Sequence, residues 1–262
     1  MNADSKTLPA DALIRFRETR ITRTSGSVEC GDWEVSAGDV WFVAGAVGEG
    51  KTSLLRSIAG LERPVSGSIE RFGNDWAKFS ESETLKHRRR IGVVLGREAG
   101  LFHRLTVLEN IRLPLLYHGG RSHPEIEQRT RNLLVALDLE KHAQSPSVRV
   151  SLSVTRRTQL ARSLALEPEV LLLDDPCAGL DERNRRRLIH FLGRLQAGEE
   201  LPVERPAALV ITGEAPAQWR EFPELKWARL HAGELTAVPT WEQLVATAPE
   251  LFHDSETNDS FD

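Results

Sequence analysis

The residues with the clearest chemical meaning are Gly45-Ala46-Val47-Gly48-Glu49-Gly50-Lys51-Thr52: a glycine, four residues, then Gly-Lys-Thr. Glycines at this spacing let successive backbone amides turn toward one polyphosphate, and Lys51 adds a charge that can bridge its outer phosphates. The Thr52 hydroxyl is placed to ligate a phosphate-bound magnesium, and Ser53 follows it at the start of the same helix. The second constellation lies far downstream, where the apolar run Val170-Leu171-Leu172-Leu173 ends in Asp174-Asp175-Pro176. A carboxylate closing a buried strand, in a chain that also holds a phosphate loop, is the complementary magnesium-organising element. Asp174 is the metal-side candidate. Together the two stretches have the parts needed to hold a Mg-nucleotide.

Such side chains need rigid elements to place them. Val40-Trp41-Phe42-Val43 reads as the strand leading into the loop, and Leu54, Leu55, Ile58 and Leu61 recur behind it at helical spacing. That helix would turn its positive dipole end to the phosphates. Before it, residues 13–16 alternate as a first strand, and a Thr-, Ser- and Gly-rich segment to Gly38 predicts short antiparallel strands with Trp33 and Val35 on one face. After it come a turn at residues 64–67, a short strand over 68–71 and a polar stretch to Arg90. The basic run Lys86-His87-Arg88-Arg89-Arg90 reads as a solvated face or a contact for an acidic partner surface.

Ile91-Gly92-Val93-Val94-Leu95 suits a buried parallel strand. Thr106 to Glu109 has the form of a capping box opening a helix that Pro114 and Gly119-Gly120 interrupt. Pro124 can open another, with Ile126, Leu133, Leu134 and Leu137 on its buried face. A helix from about Thr155 to Leu166, a strand over 208–211, and a terminal hairpin turning at Ala232-Gly233 complete the pattern. The expected class is α/β, a mixed and largely parallel sheet with an N-terminal antiparallel β subdomain and an inserted α-helical subdomain. The expected division is a lead-in over 1–12, an α/β core over 13–96 and 156–240, the helical insert over 97–155, and a tail over 241–262 that is acidic and polar from Asp254.

Composition narrows the function classes. A chain of 262 residues with 40% apolar content can bury a substantial core, while a net charge of −4 provides no basic excess for a nucleic-acid face. Cys30 and Cys177 are too far apart in sequence for a metal-ligand spacing and suggest no disulfide framework, which fits a reducing compartment. The first residues lack a charged-then-apolar signal pattern, and no apolar run approaches the roughly 18 residues of a spanning helix. A membrane role is therefore expected to come through a partner.

Ala178-Gly179-Leu180-Asp181, directly after the Asp174 strand, completes an order of motifs that resembles the nucleotide-binding subunit of ATP-binding cassette (ABC) transporters over roughly residues 13–240. Leu160-Ala161-Arg162-Ser163-Leu164-Ala165 is similar to the helix that follows the family signature. The resemblance implies a P-loop NTPase core, ATP and Mg2+ as ligands, and a head-to-tail dimer, homomeric or heteromeric, in which each ATP lies between one phosphate loop and the other subunit's signature. It further implies transmembrane permease subunits as partners, a place on the cytoplasmic face of the membrane, and Asp181 at the dimer interface. The segment around Leu101-Phe102 and from Leu105 to Leu115 would receive the permease, or simply pack in the core. That segment is also similar to lipid-handling members of the family.

The departures from the pattern concern catalysis. The family's Leu-Ser-Gly-Gly-Gln aligns with Val150-Ser151-Leu152-Ser153-Val154, which leaves Ser151 and Ser153 as the remnant and removes both glycines. Gly96 stands where a glutamine is expected, Gly213 where a histidine is expected, and Asp175 where the catalytic glutamate belongs. Arg23 falls near the place of the adenine-stacking aromatic. A carboxylate one methylene shorter sits about 1.5 Å back from an attacking water, and a misplacement of about 1 Å can cost on the order of a hundredfold in rate. The expectation is a subunit that binds Mg-ATP and hydrolyses it slowly with Asp175 as a weakened base; the alternative is a nucleotide-binding scaffold without turnover. Arg156 or Arg157 is the candidate to reach a partner's phosphate in place of the lost glycine amides.

Overall fold

The computed structural model describes residues 12–24, 26–96, 100–118, 120–199 and 206–252. β1 (Ala12–Arg23) buries Ile14, Phe16 and Ile21 between polar residues, the alternation of a strand with one wet face. β2 (Gly26–Gly31) and β3 (Glu34–Ser36) fold back on it antiparallel. β1 outruns the expected residues 13–16 because a register shift between Thr19 and Arg20 carries the pairing past an irregularity. Trp33 and Val35 are both buried, as their spacing of two predicts.

β4 (Val40–Ala44) leads into the loop and α1 (Lys51–Ile58) leaves it. Leu54, Leu55 and Ile58 are fully buried, but Leu61 is 44% exposed: the helix ends at Ile58, and the Leu61 amide closes a turn on the Arg56 carbonyl. The polar stretch that follows holds β5 (Ser66–Arg71), β6 (Asn74–Asp75) and α2 (Glu81–Arg88). α2 buries no residue and so has no apolar period; what starts it is a capping box between Ser80 and Glu83. Two cations of the basic run are engaged within the chain itself. Arg88 donates to the Gly60 carbonyl at 2.8 Å, and the Arg90 guanidinium lies 3.6 Å over the Phe72 ring while pairing with Glu169.

β7 (Ile91–Leu95) is followed by α3 (Val107–His118) and α4 (His123–Ala136). Thr106 and Glu109 form the expected capping box, and Ile126, Leu133, Leu134 and Leu137 are buried. Pro114 does not interrupt α3. It lies inside a helix that runs on to His118, held by Val107, Ile111 and Leu115 in the core. α5 (Leu152–Leu164) starts three residues before the expected Thr155, with Ser151 as its cap, so it runs across the expected edge of the insert at 155/156.

β8 (Val170–Asp174), α6 (Glu182–Gln196), β9 (Ala208–Gly213), β10 (Leu225–His231), β11 (Glu234–Val238) and α7 (Trp241–Thr247) complete the fold. β10 and β11 do form a hairpin, but β10 also pairs parallel with β4, which makes it a structural strand of the main sheet. Part of the expected tail is folded too: Trp241 of α7 packs its ring 5.0 Å from that of Trp227. The segment from Asp254 lies outside the described residues.

The strands make one sheet in the order β6-β5-β1-β2-β11-β10-β4-β9-β8-β7, with β3 beside β1. From β10 to β7 every pairing is parallel; from β6 to β2 every pairing is antiparallel. Alternate residues of one strand serve two cores. Leu171 and Leu173 of β8 join the core under α3 to α6, while Val170 and Leu172 join the core shared with α1 and β1. Strands buried on both faces explain why 170–173 and 208–211 read as unbroken apolar runs. Their C-terminal ends, at Ala44, Asp174 and Gly213, come together at one edge.

Candidate functional site

The site is built on those three strand ends. Gly45 ends the β4 run against β10, where an added Cβ would lie 2.6 Å from the Leu230 carbonyl oxygen. Gly50 has φ of 108°, a left-handed conformation in which it caps α1, so the loop can turn and the helix begin at Lys51. The Lys51 ammonium is 8% exposed and donates to the carbonyls of Gly45 at 2.7 Å and Ala46 at 2.8 Å, with the Glu214 carboxylate at 3.5 Å. The lysine is thereby held over its own loop.

At the second residue of α1, Thr52 Oγ1 donates to Asp174 Oδ2 at 2.7 Å. The other carboxylate oxygen, Oδ1, accepts from Thr212 Oγ1 at 2.7 Å, so Asp174 is fixed from both sides. Asp175 follows with φ of 44°, an uncommon angle that Asp tolerates better than most residues, and its amide donates to the Thr212 carbonyl. Burial, above all, raises the Asp175 carboxyl above its ordinary range, and Glu214 and Asp174 add to that; Lys51 and Arg156 oppose it. Beside it, burial pushes the Cys177 thiol up to about 12, so this free cysteine is an inert core side chain.

These groups face a cavity of about 1040 Å³. Val47, Gly48, Gly50, Lys51, Thr52 and Ser53 line it from the loop, whereas Gly45, Ala46 and Glu49 do not. Asp174 and Asp175 line it from the strand end, so the two motifs, separated by more than a hundred residues, share one space. The volume, the backbone cradle, one lysine and a hydroxyl-carboxylate pair with hard oxygen donors fit a nucleotide polyphosphate with magnesium.

Other residues expected at the site are placed differently, beginning with Arg23. It does not line the cavity: its guanidinium donates to Glu49 at 2.9 Å, bracing the back of the loop, and Thr24 faces the cavity instead. Ser151 caps α5, and Ser153 Oγ donates to Asn184 Oδ1 at 2.6 Å. Asn184 in turn binds Asp181, the cap of α6, through its amide and side chain. Arg157 is buried and donates to the carbonyls of Leu137 and Asp138, both at 2.8 Å, so it braces α5 to the end of α4 and does not reach outward. Arg156 lines this chain's own cavity.

Sequence reasoning missed Thr212 and Glu214. Thr212 had a signal, a hydroxyl at the inner end of a buried strand. Glu214 had none, since only the parallel register of β9 with β4 brings its segment beside Lys51. The two missing side chains have also been closed over. A Cβ at Gly213 would lie 2.9 Å from Phe42 Cζ, and one at Gly96, where φ is 34°, would lie 3.2 Å from Asp174 Oδ2.

A sequence model of the family described as ABC transporter matches residues 29–178. The methionine import ATP-binding protein MetN of Lacticaseibacillus paracasei is 31% identical over 174 residues, 66% of this chain and 49% of that protein. The sulfate/thiosulfate import ATP-binding protein CysA of Nephroselmis olivacea is 39% identical over 186 residues, 70% of this chain and 52% of that protein. The chain thus spans about half the length of these curated relatives. Among solved structures, cbiO1 from Clostridium perfringens, part of the ABC transporter complex cbiONQ, superposes with a TM-score of 0.72 at 22% identity, covering 92% of this chain and 93% of that one. A dimeric ATP-binding cassette in a post-hydrolysis state with ADP and Pi gives 0.71 at 23% identity, over 85% and 96%. The shared fold is that of an ATP-binding cassette.

Proposed function

This chain belongs to the ABC transporter family, and from that premise we propose that it is a transporter's ATP-binding subunit, which takes Mg-ATP on residues 45–53 and closes against a second nucleotide-binding subunit to move a transmembrane permease. The observation that carries this reading is the meeting of Lys51, Thr52 and Asp174 in one cavity. Thr52 and Asp174 would hold magnesium, which supplies charge neutralisation at the phosphate oxygens. The loop amides and Lys51 bind the phosphates, and Asp175 is the group positioned to accept a proton from water.

Turnover is proposed to be slow. Asp175 is a methylene shorter than the expected glutamate, and no side chain projects from Gly96 or Gly213 toward the reacting phosphate. Those losses bear on the transition state, while the contacts that bind nucleotide remain. The site is expected on the cytoplasmic face of a membrane. Among the described residues no helix is long and apolar enough to cross one, and the reading accordingly attaches the chain through its permease.

For the permease we propose the groove of about 500 Å³ between α2 and α3, with Leu85, Phe102, Pro114 and Tyr117 on its walls. Phe102 and Tyr117 are 55% and 79% exposed, whereas Val107, Ile111 and Leu115 of the expected docking segment are core residues. The relatives named above import methionine and sulfate or thiosulfate, which favours a small polar solute over a lipid as the permease's cargo.

The test is Mg-ATP binding and phosphate release by the purified complex, beside the same complex carrying Lys51→Ala. Mg-ATP binding that Lys51→Ala weakens by roughly 10- to 100-fold, with slow phosphate release, is the expected result. Binding without any release would favour the scaffold reading, and no binding at all would overturn both.

A further inference from the structure

Arg156 is the cation of the cavity that makes no contact ion pair; it acts on Asp175 only from beyond ion-pair distance. It lies on α5, is 8% exposed, and lines the same space as Thr52, Asp174 and Asp175. Its Nη1 donates to the Gly96 carbonyl at 2.8 Å and weakly to Gln159 Oε1 at 3.4 Å, while its buried Nε has no hydrogen-bond partner. The other two cations of the cavity are matched: Arg56 pairs with Glu62 at 2.6 Å, and Lys51 has Glu214 at 3.5 Å. Among the described residues no carboxylate lies within ion-pair distance of Arg156. A guanidinium taken out of water without an anion in direct contact is costly, and an anion arriving in the cavity would offset that cost.

Its position selects which part of a nucleotide it would meet. The carbonyl it holds belongs to Gly96, whose Cα faces Asp174 so closely that a Cβ would come within 3.2 Å of Oδ2, the oxygen bonded to Thr52. The guanidinium is therefore anchored on the Asp174 and Asp175 side of the cavity. A hydroxyl and strand-end carboxylate that hold magnesium serve the outer phosphates, so on the nucleotide-binding reading this is the side where the terminal phosphate of a triphosphate would lie and a diphosphate would leave space.

We propose that Arg156 is a phosphate-binding residue of its own chain's site, a fixed cation that recognises the terminal phosphate of a nucleoside triphosphate beside Asp174 and Asp175, where Gly96 offers no side chain. It rests on the nucleotide-binding reading above. A planar fork of donors suits this task, since it can keep one hydrogen bond to the Gly96 carbonyl and turn the others to phosphate oxygens. The same residue then contributes to telling the triphosphate from the diphosphate.

The experiment measures dissociation constants of Mg-ATP and Mg-ADP by calorimetry on the full chain, native and carrying Arg156→Gln or Arg156→Lys, with melting temperatures recorded alongside. The expected result for Arg156→Gln is a loss of roughly 10- to 100-fold in affinity for Mg-ATP, the range of a lost charge-assisted contact, with Mg-ADP changed less than about threefold. Arg156→Lys should recover part of that preference. Parallel changes in both nucleotides, or none, would overturn the proposal and leave Arg156 as a brace for Gly96. If Arg156→Gln does not fold, a native ratio of the two constants in Arg156→Lys overturns it equally. Failure of the native chain to bind either nucleotide would instead remove the reading on which it rests.

Discussion

Thr52 and Asp174 stand 122 positions apart in the chain and meet through one hydrogen bond of 2.7 Å between Oγ1 and Oδ2. That contact ties the first turn of α1 to the end of β8 and brings the only hydroxyl of the Gly-Lys-Thr motif against the carboxylate that closes the strand. The two groups have the same role in the proposed site, so a change in either should act on the metal rather than on the nucleotide alone. Asp174→Asn keeps an acceptor for Thr52 but removes the charge. We expect it to weaken Mg-ATP binding about tenfold or more, within the range for a contact to a charged group, while metal-free ATP binding changes little. Titrations with and without magnesium check this.

Lys51 holds the loop through two carbonyls and supplies its charge. Lys51→Ala should lower Mg-ATP affinity by roughly 10- to 100-fold, the loss of one or two charge-assisted contacts, without unfolding the chain. Calorimetric titration with a circular-dichroism melt separates binding from folding.

Asp175 is raised above its ordinary pKa of 3.8, by burial first and by Glu214 next. The native state thus binds this proton more tightly than the unfolded chain does. The stabilising effect of protonation is therefore present at acid pH and fades as pH rises from near 3.8 through the raised folded value, leaving a neutral-pH penalty. Asp175→Asn should raise the melting temperature at neutral pH while reducing phosphate release. Glu214→Gln should shift the acid limb of the rate profile to lower pH, because it removes a negative neighbour. A limb unmoved by Glu214→Gln would show that this carboxylate does not act on Asp175.

Arg157 donates to the Leu137 and Asp138 carbonyls from a buried position. Arg157→Ala leaves those acceptors without their donor and should cost about 2–3 kcal/mol in denaturant unfolding. Mg-ATP affinity should stay within about threefold, since the residue does not line the cavity. This reverses the role that its position after the altered signature suggests.

Restoring family side chains should not restore activity. Gly213→His places its Cβ 2.9 Å from Phe42 Cζ, and Phe42 is fully buried between Trp219 and Trp227. We expect a destabilisation of about 1–3 kcal/mol from overpacking and no gain in phosphate release. A gain would mean that the aromatic cluster yields more easily than its packing implies.

Several elements could be read before any coordinates because their physics is local. Residues 45–52 specify a phosphate cradle by glycine spacing, Thr106 with Glu109 specifies a helix start, and apolar runs at 91–95, 170–173 and 208–211 specify strands covered on both faces. Other elements were hidden for equally local reasons. α2 has no apolar stripe to betray it, and Pro114 is tolerated in α3 because core packing of Val107, Ile111 and Leu115 outweighs the local preference to stop.

The amino-acid sequence by itself determined which groups could bind a phosphate and a magnesium ion, since that rests on residue type and close spacing. Only the tertiary structure decided which distant groups join them. The parallel register of β4, β9 and β8 puts Thr212 on Asp174 and carries the following Glu214 to Lys51, and the seating of α5 turns Arg156 inward while Arg157 braces the insert. Two neighbouring arginines on one helix have identical local chemistry; the direction each points, and hence what each can do, is set by how that helix packs.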